Sequence, residues 1–256
     1  MKHSLGPKYL PALSLTCGLL VLGLRWLLYA TGVDDRGLIP RSDPLNILCW
    51  LPVAVGALVL ARTVFRMEDP TPAGERPSLS AALGCFCAGV GLVFNVLGET
   101  GGPKDTLAGI CTVLGLACAA GMFLAGVRRL TGKPPLFLIH GALALFFALN
   151  LADQYRIWSR TPQVQDYVFS LFACVGMMLC AYLRAAHEIG GRRRGWMFWG
   201  LMTGILSLGA AVNTQMPVFY LGCGLWGILT CVPAGQPRSA PRFARRDPPA
   251  EGGEGV

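Results

Sequence analysis

The sequence predicts an all-α polytopic membrane protein with eight transmembrane helices and both ends of the chain on the cytoplasmic side. Three observations carry that prediction. Of the 256 residues, 53% are hydrophobic and 14% charged, against roughly 25% charged in a soluble domain. Residues 44–61, 77–98, 106–127, 134–152, 167–183 and the 43 residues 195–237 contain no Asp, Glu, Lys or Arg, and each run is at or near the ~20 residues a helix needs to cross the hydrocarbon. The positive charges between these runs alternate from side to side, as expected when Lys and Arg in short loops stay in the cytoplasm.

The spans follow in order. The first, 9–31, is apolar apart from Arg25. A secretory signal is the competing reading, since Lys2 and Lys8 precede the apolar stretch and Ala30-Thr31-Gly32 is a small-residue site. Its length and the Arg25-Trp26 pair near its end favour an uncleaved helix. Spans at 44–65, 78–98, 106–126, 136–152 and 167–185 come next. The 43-residue run is too long for one crossing, and Asn213-Thr214-Gln215-Met216-Pro217 divides it into spans at 196–213 and 217–233. Residues 1–133 thus hold helices one to four and residues 134–234 hold helices five to eight. Residues 235–256, rich in Pro, Gly, Arg and Glu, read as a disordered cytoplasmic tail.

Sixteen of the 22 basic residues fall on one side: Lys2, Lys8, Arg62, Arg66, Arg76, Arg128, Arg129, Lys133, Arg184, Arg192, Arg193, Arg194, Arg238, Arg242, Arg245 and Arg246. The other side holds Arg36, Arg41, Lys104, Arg156 and Arg160. The net charge of +8 is therefore a topology signal, with attraction of anionic lipid headgroups at the cytoplasmic face as its by-product, and it argues against nucleic acid as a partner.

At an offset of 118 residues, Gly91-Leu92-Val93-Phe94-Asn95 lies over Gly209-Ala210-Ala211-Val212-Asn213, and Ala30 and Asp35 lie over Ala148 and Asp153. Four spans per unit would return the chain to the same side, so a duplication here predicts a parallel 4+4 arrangement about an axis along the membrane normal. It also predicts equivalent depths for Asn95 and Asn213, with Gly91 and Gly209 admitting a neighbouring helix.

Polar residues gather at the outer ends of the spans. The binding candidates are Arg25, Asp35, Asn95, Glu99, Asn150, Asp153, Arg156, Asp166 and Asn213, because ionisable groups inside spans are costly and tend to serve function. The competing reading is helix capping at the interface. Arg25 either snorkels outward or pairs with Glu99 or Asp153. His140, with no Asp, Glu, Cys or second His four residues away, reads as a hydrogen-bonded packing residue and not as a proton relay or ligand. All ten cysteines fall inside spans and act as small apolar residues. No CxxC, HExxH, GxSxG or Walker loop occurs, so no catalytic residue, metal or cofactor is called. Gly200 and Gly204, Gly84 and Ala88, Gly115 and Ala119, and Ala117 and Gly121 are small residues four apart, the spacing that lets helices approach closely.

At Asp34-Asp35-Arg36-Gly37-Leu38 and Trp158-Ser159-Arg160-Thr161-Pro162-Gln163 the chain resembles a group of uncharacterised multi-pass membrane proteins of Gram-positive anaerobic bacteria. The resemblance implies a bacterial plasma-membrane setting and no activity. Three functions stay open at this point. The leading one is binding or transport of a small solute through the duplicated bundle. The second is assembly with a protein partner through the small-residue faces, and the third is a membrane-embedded enzyme using Glu99, Asp153 or His140 as acid and base. A continuous, water-sized cavity between the halves would favour the first, a dry bundle with an exposed small-residue face the second, and a closed pocket with a carboxylate beside His140 the third.

Overall fold

The computed structural model describes residues 9–32, 44–67, 77–98, 106–133, 136–158, 164–212 and 214–232; for residues 157, 158 and 164–166 it describes the backbone alone. Among them the structure is helical, in nine segments: α1 (Leu10–Thr31), α2 (Pro44–Leu48), α3 (Trp50–Val64), α4 (Leu79–Gly98), α5 (Thr106–Leu130), α6 (Phe137–Trp158), α7 (Val164–Glu188), α8 (Arg193–Ala210) and α9 (Pro217–Thr230). The second span is broken at Cys49 into α2 and α3. Pro52 explains the break, because it has no N–H for the Leu48 carbonyl and its ring crowds that group.

Six helical stretches are long and apolar enough to cross a membrane: Leu10–Thr31, Pro44–Val64, Leu79–Gly98, Thr106–Leu130, Phe137–Arg156 and Tyr167–Glu188. The last two of the eight expected spans differ from these. Helix α8 opens on Arg193 and Arg194 and has 18 residues. Helix α9 has 14 residues, ~21 Å at 1.5 Å per residue.

Both lie at the centre. Every residue of α8 from Gly200 to Ala210 is buried, which marks a helix enclosed on all sides, and its neighbours are α1, α3, α7 and α9. Successive packing of α4, α5, α6, α7, α8 and α9, with α9 returning to α4, closes a ring of six. Helices α1 and α3 flank α8 from outside it. Neighbours in the ring run antiparallel: Ser78 donates its N–H to the Arg129 carbonyl where α4 begins and α5 ends, and Gly84 lies against Trp226 while Gly91 lies against Phe219. By contrast α1 runs parallel to α8, with Ser14 donating to the Leu201 carbonyl at 2.6 Å and Gly18 against Leu208.

The two halves of the sequence pack differently. Helices α6 to α9 pack each on the next, whereas the packing of α7 along α8 has no counterpart of similar extent between α3 and α4 among the described residues. Gly91 meets the backbone of α9, while Gly209 meets the side chains of Val21 and Phe169. Asn213 lies outside the described residues, and so does the tail at 235–256.

Glycines set the spacing. A Cβ built on Gly200 would lie 3.0 Å from the Gly227 carbonyl oxygen, and one on Gly91 would lie 3.1 Å from that of Phe219. The small residues picked out for helix contact are therefore used inside the chain at Gly84, Gly91, Gly200 and Gly204. Gly91→Leu should lower thermal stability by about 1–3 kcal/mol, the usual range for overpacking, because a backbone carbonyl cannot yield as a side chain does. Gly141→Ala, with nothing within 4 Å, should be neutral or gain ~0.5 kcal/mol from helix propensity. Thermal unfolding of the purified variants in detergent checks both.

Candidate functional site

The two ends of the ring hold different chemistry. At the end where α5 and α7 finish and α6 and α8 begin, one carboxylate collects three cationic or donor groups. Glu188 lies 3.6 Å from Arg129 Nη2, 3.3 Å from Arg184 Nε and 3.1 Å from His140 Nδ1. All four are buried, with side-chain exposures between 3% and 8%. The Arg184 guanidinium sits 4.3 Å from the Trp196 ring, and the His140 ring stacks at 6.1 Å on Trp226. Five helices, α5 to α9, thus meet at one cluster.

Local chain chemistry places these side chains. Helix α5 ends on Gly132 at φ 67° and α7 on Gly190 at φ 112°. The N–H of Lys133 reaches the Arg128 carbonyl and that of Gly191 the Ala186 carbonyl. These are glycine-dependent end caps with a six-to-one hydrogen bond, so both helices stop within a few residues of the charged group they carry. Sequence spacing pointed to His140 as a packing residue without a nearby acid. Its acid is 48 positions away, across the α6–α7 contact. Arg129, Arg184 and Glu188 were not singled out as site residues; the only sequence signal was that Glu188 is an acidic group next to a run of basic ones.

At the opposite end lie the polar residues expected from the sequence. Three are buried from water: Arg25 on α1, 2% exposed, Asn95 on α4, 1%, and Asn150 on α6, 1%. Asp153 and Arg156 instead sit nearer the surface and pair with each other at 3.8 Å across one turn of α6. Asp35 and Glu99 lie outside the described residues, and Asp166 is described by its backbone within α7 alone. Tyr220 contributes a further buried hydroxyl, 3.7 Å from the Cys174 sulfur. The Asn150 Oδ1 and Ser207 Oγ atoms have no hydrogen-bond partner.

Arg25 does not snorkel to solvent; of the two acids expected to pair with it, Asp153 is engaged with Arg156 and Glu99 lies outside the described residues. The Arg25 Nη2 donates to the Tyr29 hydroxyl at 3.1 Å, and its guanidinium lies over two rings, 4.4 Å from the centre of Phe169 and 5.5 Å from that of Tyr29. Trp50 stacks on Phe169 at 4.3 Å, so the cation rests on an aromatic wall built from α1, α3 and α7. Gly209 makes this possible: a Cβ there would lie 2.6 Å from Val21 and 2.9 Å from Phe169. The Nη1 atom has no acceptor. Cation–π contact contributes ~0.5–2 kcal/mol, less than the several kcal/mol that withdrawing an ion from water costs.

Between the two ends the ring is filled. Phe146, Phe147, Phe219 and Tyr220 contact one another in series at 5.2–6.2 Å between ring centres. The groove of about 630 Å³ between α5 and α6 is lined by Thr106, Gly109, Val113, Ala117, Leu145 and Leu149 among others. It is apolar and open, suited to hydrocarbon and not to a polar solute. No family model, curated protein or solved structure matches this chain.

Removing the carboxylate tests the first cluster. Glu188→Gln should destabilise the protein by ~3–5 kcal/mol, because it takes away the negative charge that compensates Arg129 and Arg184 in a buried setting. The triple change Glu188→Leu, Arg129→Met, Arg184→Met should recover much of that loss, since a buried ionic cluster replaced as a whole by apolar side chains is often tolerated. Equal losses in the single and triple variants, measured by thermal unfolding, would count against a charge-based lock.

Proposed function

We infer that this protein is an integral membrane protein of a bacterial plasma membrane, crossing it eight times with both ends in the cytoplasm, and that it binds a small solute at the outer end of its helix bundle as a step in transport. The observation that carries the reading is the burial of Arg25, Asn95 and Asn150 to 2% or less on three different helices at one end, with donor or acceptor capacity left over at Arg25 Nη1 and Asn150 Oδ1. In an apolar bundle such capacity is expensive to maintain, by about 1–3 kcal/mol per unsatisfied group. A solute that hydrogen-bonds there recovers it.

The assignment of the two sides supports this reading. The Glu188 cluster ties α5, α6 and α7 together at the end where the sequence concentrates Lys and Arg, so that end is the closed cytoplasmic one. The Arg25 end then faces outward. Assembly with a protein partner has less support, because Gly84, Gly200 and Gly204 are occupied by α9. The carboxylate beside His140 favours an enzyme only superficially: its two oxygens already serve Arg129, Arg184 and His140, which makes it a bridge between helices. The parallel repeat remains a sequence expectation, and the solute-binding reading stands without it.

A purified full-length sample screened by thermal shift against a broad solute library should show stabilisation by at least one solute, since a ligand bound only by the folded state adds RT ln(1 + [L]/Kd). Asn150→Leu should weaken that response while leaving the protein folded. A flat response across the library rules the reading out. For the orientation, an enzymatic reporter active only outside the cytoplasm should be active when fused after Tyr155 and silent at the C-terminus; the inverse pattern reverses the assignment of sides.

A further inference from the structure

We propose that the solute is a small organic monocarboxylate and that Arg25 is the group that recognises its charge. This rests on the solute-binding reading above and names its chemistry. Arg25 is a permanent cation placed almost two turns from the end of α1, 2% exposed, and no carboxylate among the described residues reaches it. A guanidinium presents five N–H donors in a planar fork. One is used by Tyr29, the flat faces lie against aromatic rings, and Nη1 is left with no acceptor. The unmet requirement is therefore directional: an anionic oxygen in the plane of the guanidinium, on its Nη1 side. A carboxylate matches that geometry and can take both of its oxygens to one arginine fork.

The class of anion follows from charge and from the surrounding surface. Among the described residues the Arg25 guanidinium is the charge set against this aromatic wall, and counted with them a monoanion leaves the site neutral while a phosphate dianion would leave a net charge in an apolar bundle. Phe169, which lies against the cation, continues through Trp50 to Phe172, with ring centres 4.3 Å and 5.8 Å apart. That surface suits an apolar body attached to the carboxylate. Arg25 Nη1 is closed off from water, so entry moves a side chain of the aromatic wall. The free protein holds its cation occluded against the rings, where cation–π attraction replaces part of the lost hydration.

The comparison of benzoate with its neutral isostere benzamide tests this on the full-length protein in detergent, with acetate and phosphate as further probes. Benzoate should raise the unfolding temperature of the wild type while benzamide leaves it unchanged. Arg25→Met should unfold several degrees higher than wild type in anion-free buffer, because it removes a buried charge, and should lose the benzoate response. Arg25→Lys, which keeps the charge and lacks the fork, should bind radiolabelled benzoate at least tenfold more weakly by equilibrium dialysis. If Arg25→Met does not fold, the Lys variant decides, and unchanged benzoate affinity overturns the proposal. Equal shifts from benzoate and benzamide, a benzoate shift that persists in Arg25→Met, or a larger shift from phosphate also overturn it. A neutral library solute that stabilises wild type and Arg25→Met alike overturns the carboxylate assignment and leaves solute binding standing, whereas no shift from any probe or library member removes both.

Discussion

Helix α9 runs between α4 and α8 with little but backbone at the points of contact. Gly91 and Gly222 meet where it crosses α4, and Gly200 and Gly227 meet where it crosses α8. Lipid tails are as apolar as leucine, so helices in a bilayer gain little by hiding apolar side chains from their surroundings. They associate through close packing, and glycine is the residue that brings two backbones within reach. The rest of the bundle is arranged around this contact. Because α8 and α9 are drawn to the centre, α8 is buried on all sides, α4 closes the ring against α9, and α1 and α3 are left to cover α8 from outside.

Closing the ring this way fixes which polar groups must be satisfied internally. At one end the answer is electrostatic: Glu188 joins Arg129, Arg184 and His140 within 3.6 Å, with Trp196 of α8 over the Arg184 guanidinium and Trp226 of α9 against the His140 ring. At the other end, where the sequence places fewer charges, the answer for Arg25 is aromatic, with Tyr29 and Phe169 taking the place of a counter-ion. A carboxylate bridge holds helices together without needing anything further. An arginine on an aromatic wall keeps donor capacity in reserve.

Much of this was legible in the chain itself. Composition and charge-free runs gave helical segments whose bounds lie within about six residues of those in the structure, and Arg25, Asn95 and Asn150 stood out as polar residues in apolar spans, with interface capping as the competing reading that their burial goes against. The seventh and eighth segments were visible as apolar runs, but their short length has meaning only once α8 and α9 are seen at the centre. The break at Cys49 was signalled by Pro52, which a count of apolar residues passes over. His140 is the buried, hydrogen-bonded packing residue its isolation suggests, but its partner could not be read from the chain. Sequence spacing reveals partners one helical turn away, whereas Glu188 approaches it from another helix.

The sequence alone thus determined what repeats along one dimension: where apolar stretches begin and end, how basic residues alternate between loops, and at what depth polar side chains sit. These follow from the thickness of the hydrocarbon and the rise of a helix, which act on each segment separately. Only the tertiary structure decided which helices are neighbours, and with that the pairing of Glu188 with Arg129, Arg184 and His140, the inward use of Gly84, Gly91 and Gly200, and the aromatic seat of Arg25. Neighbour choice depends on the fit of one helix surface to another at short range, down to the presence or absence of a single Cβ, and hydropathy along the chain carries no record of it.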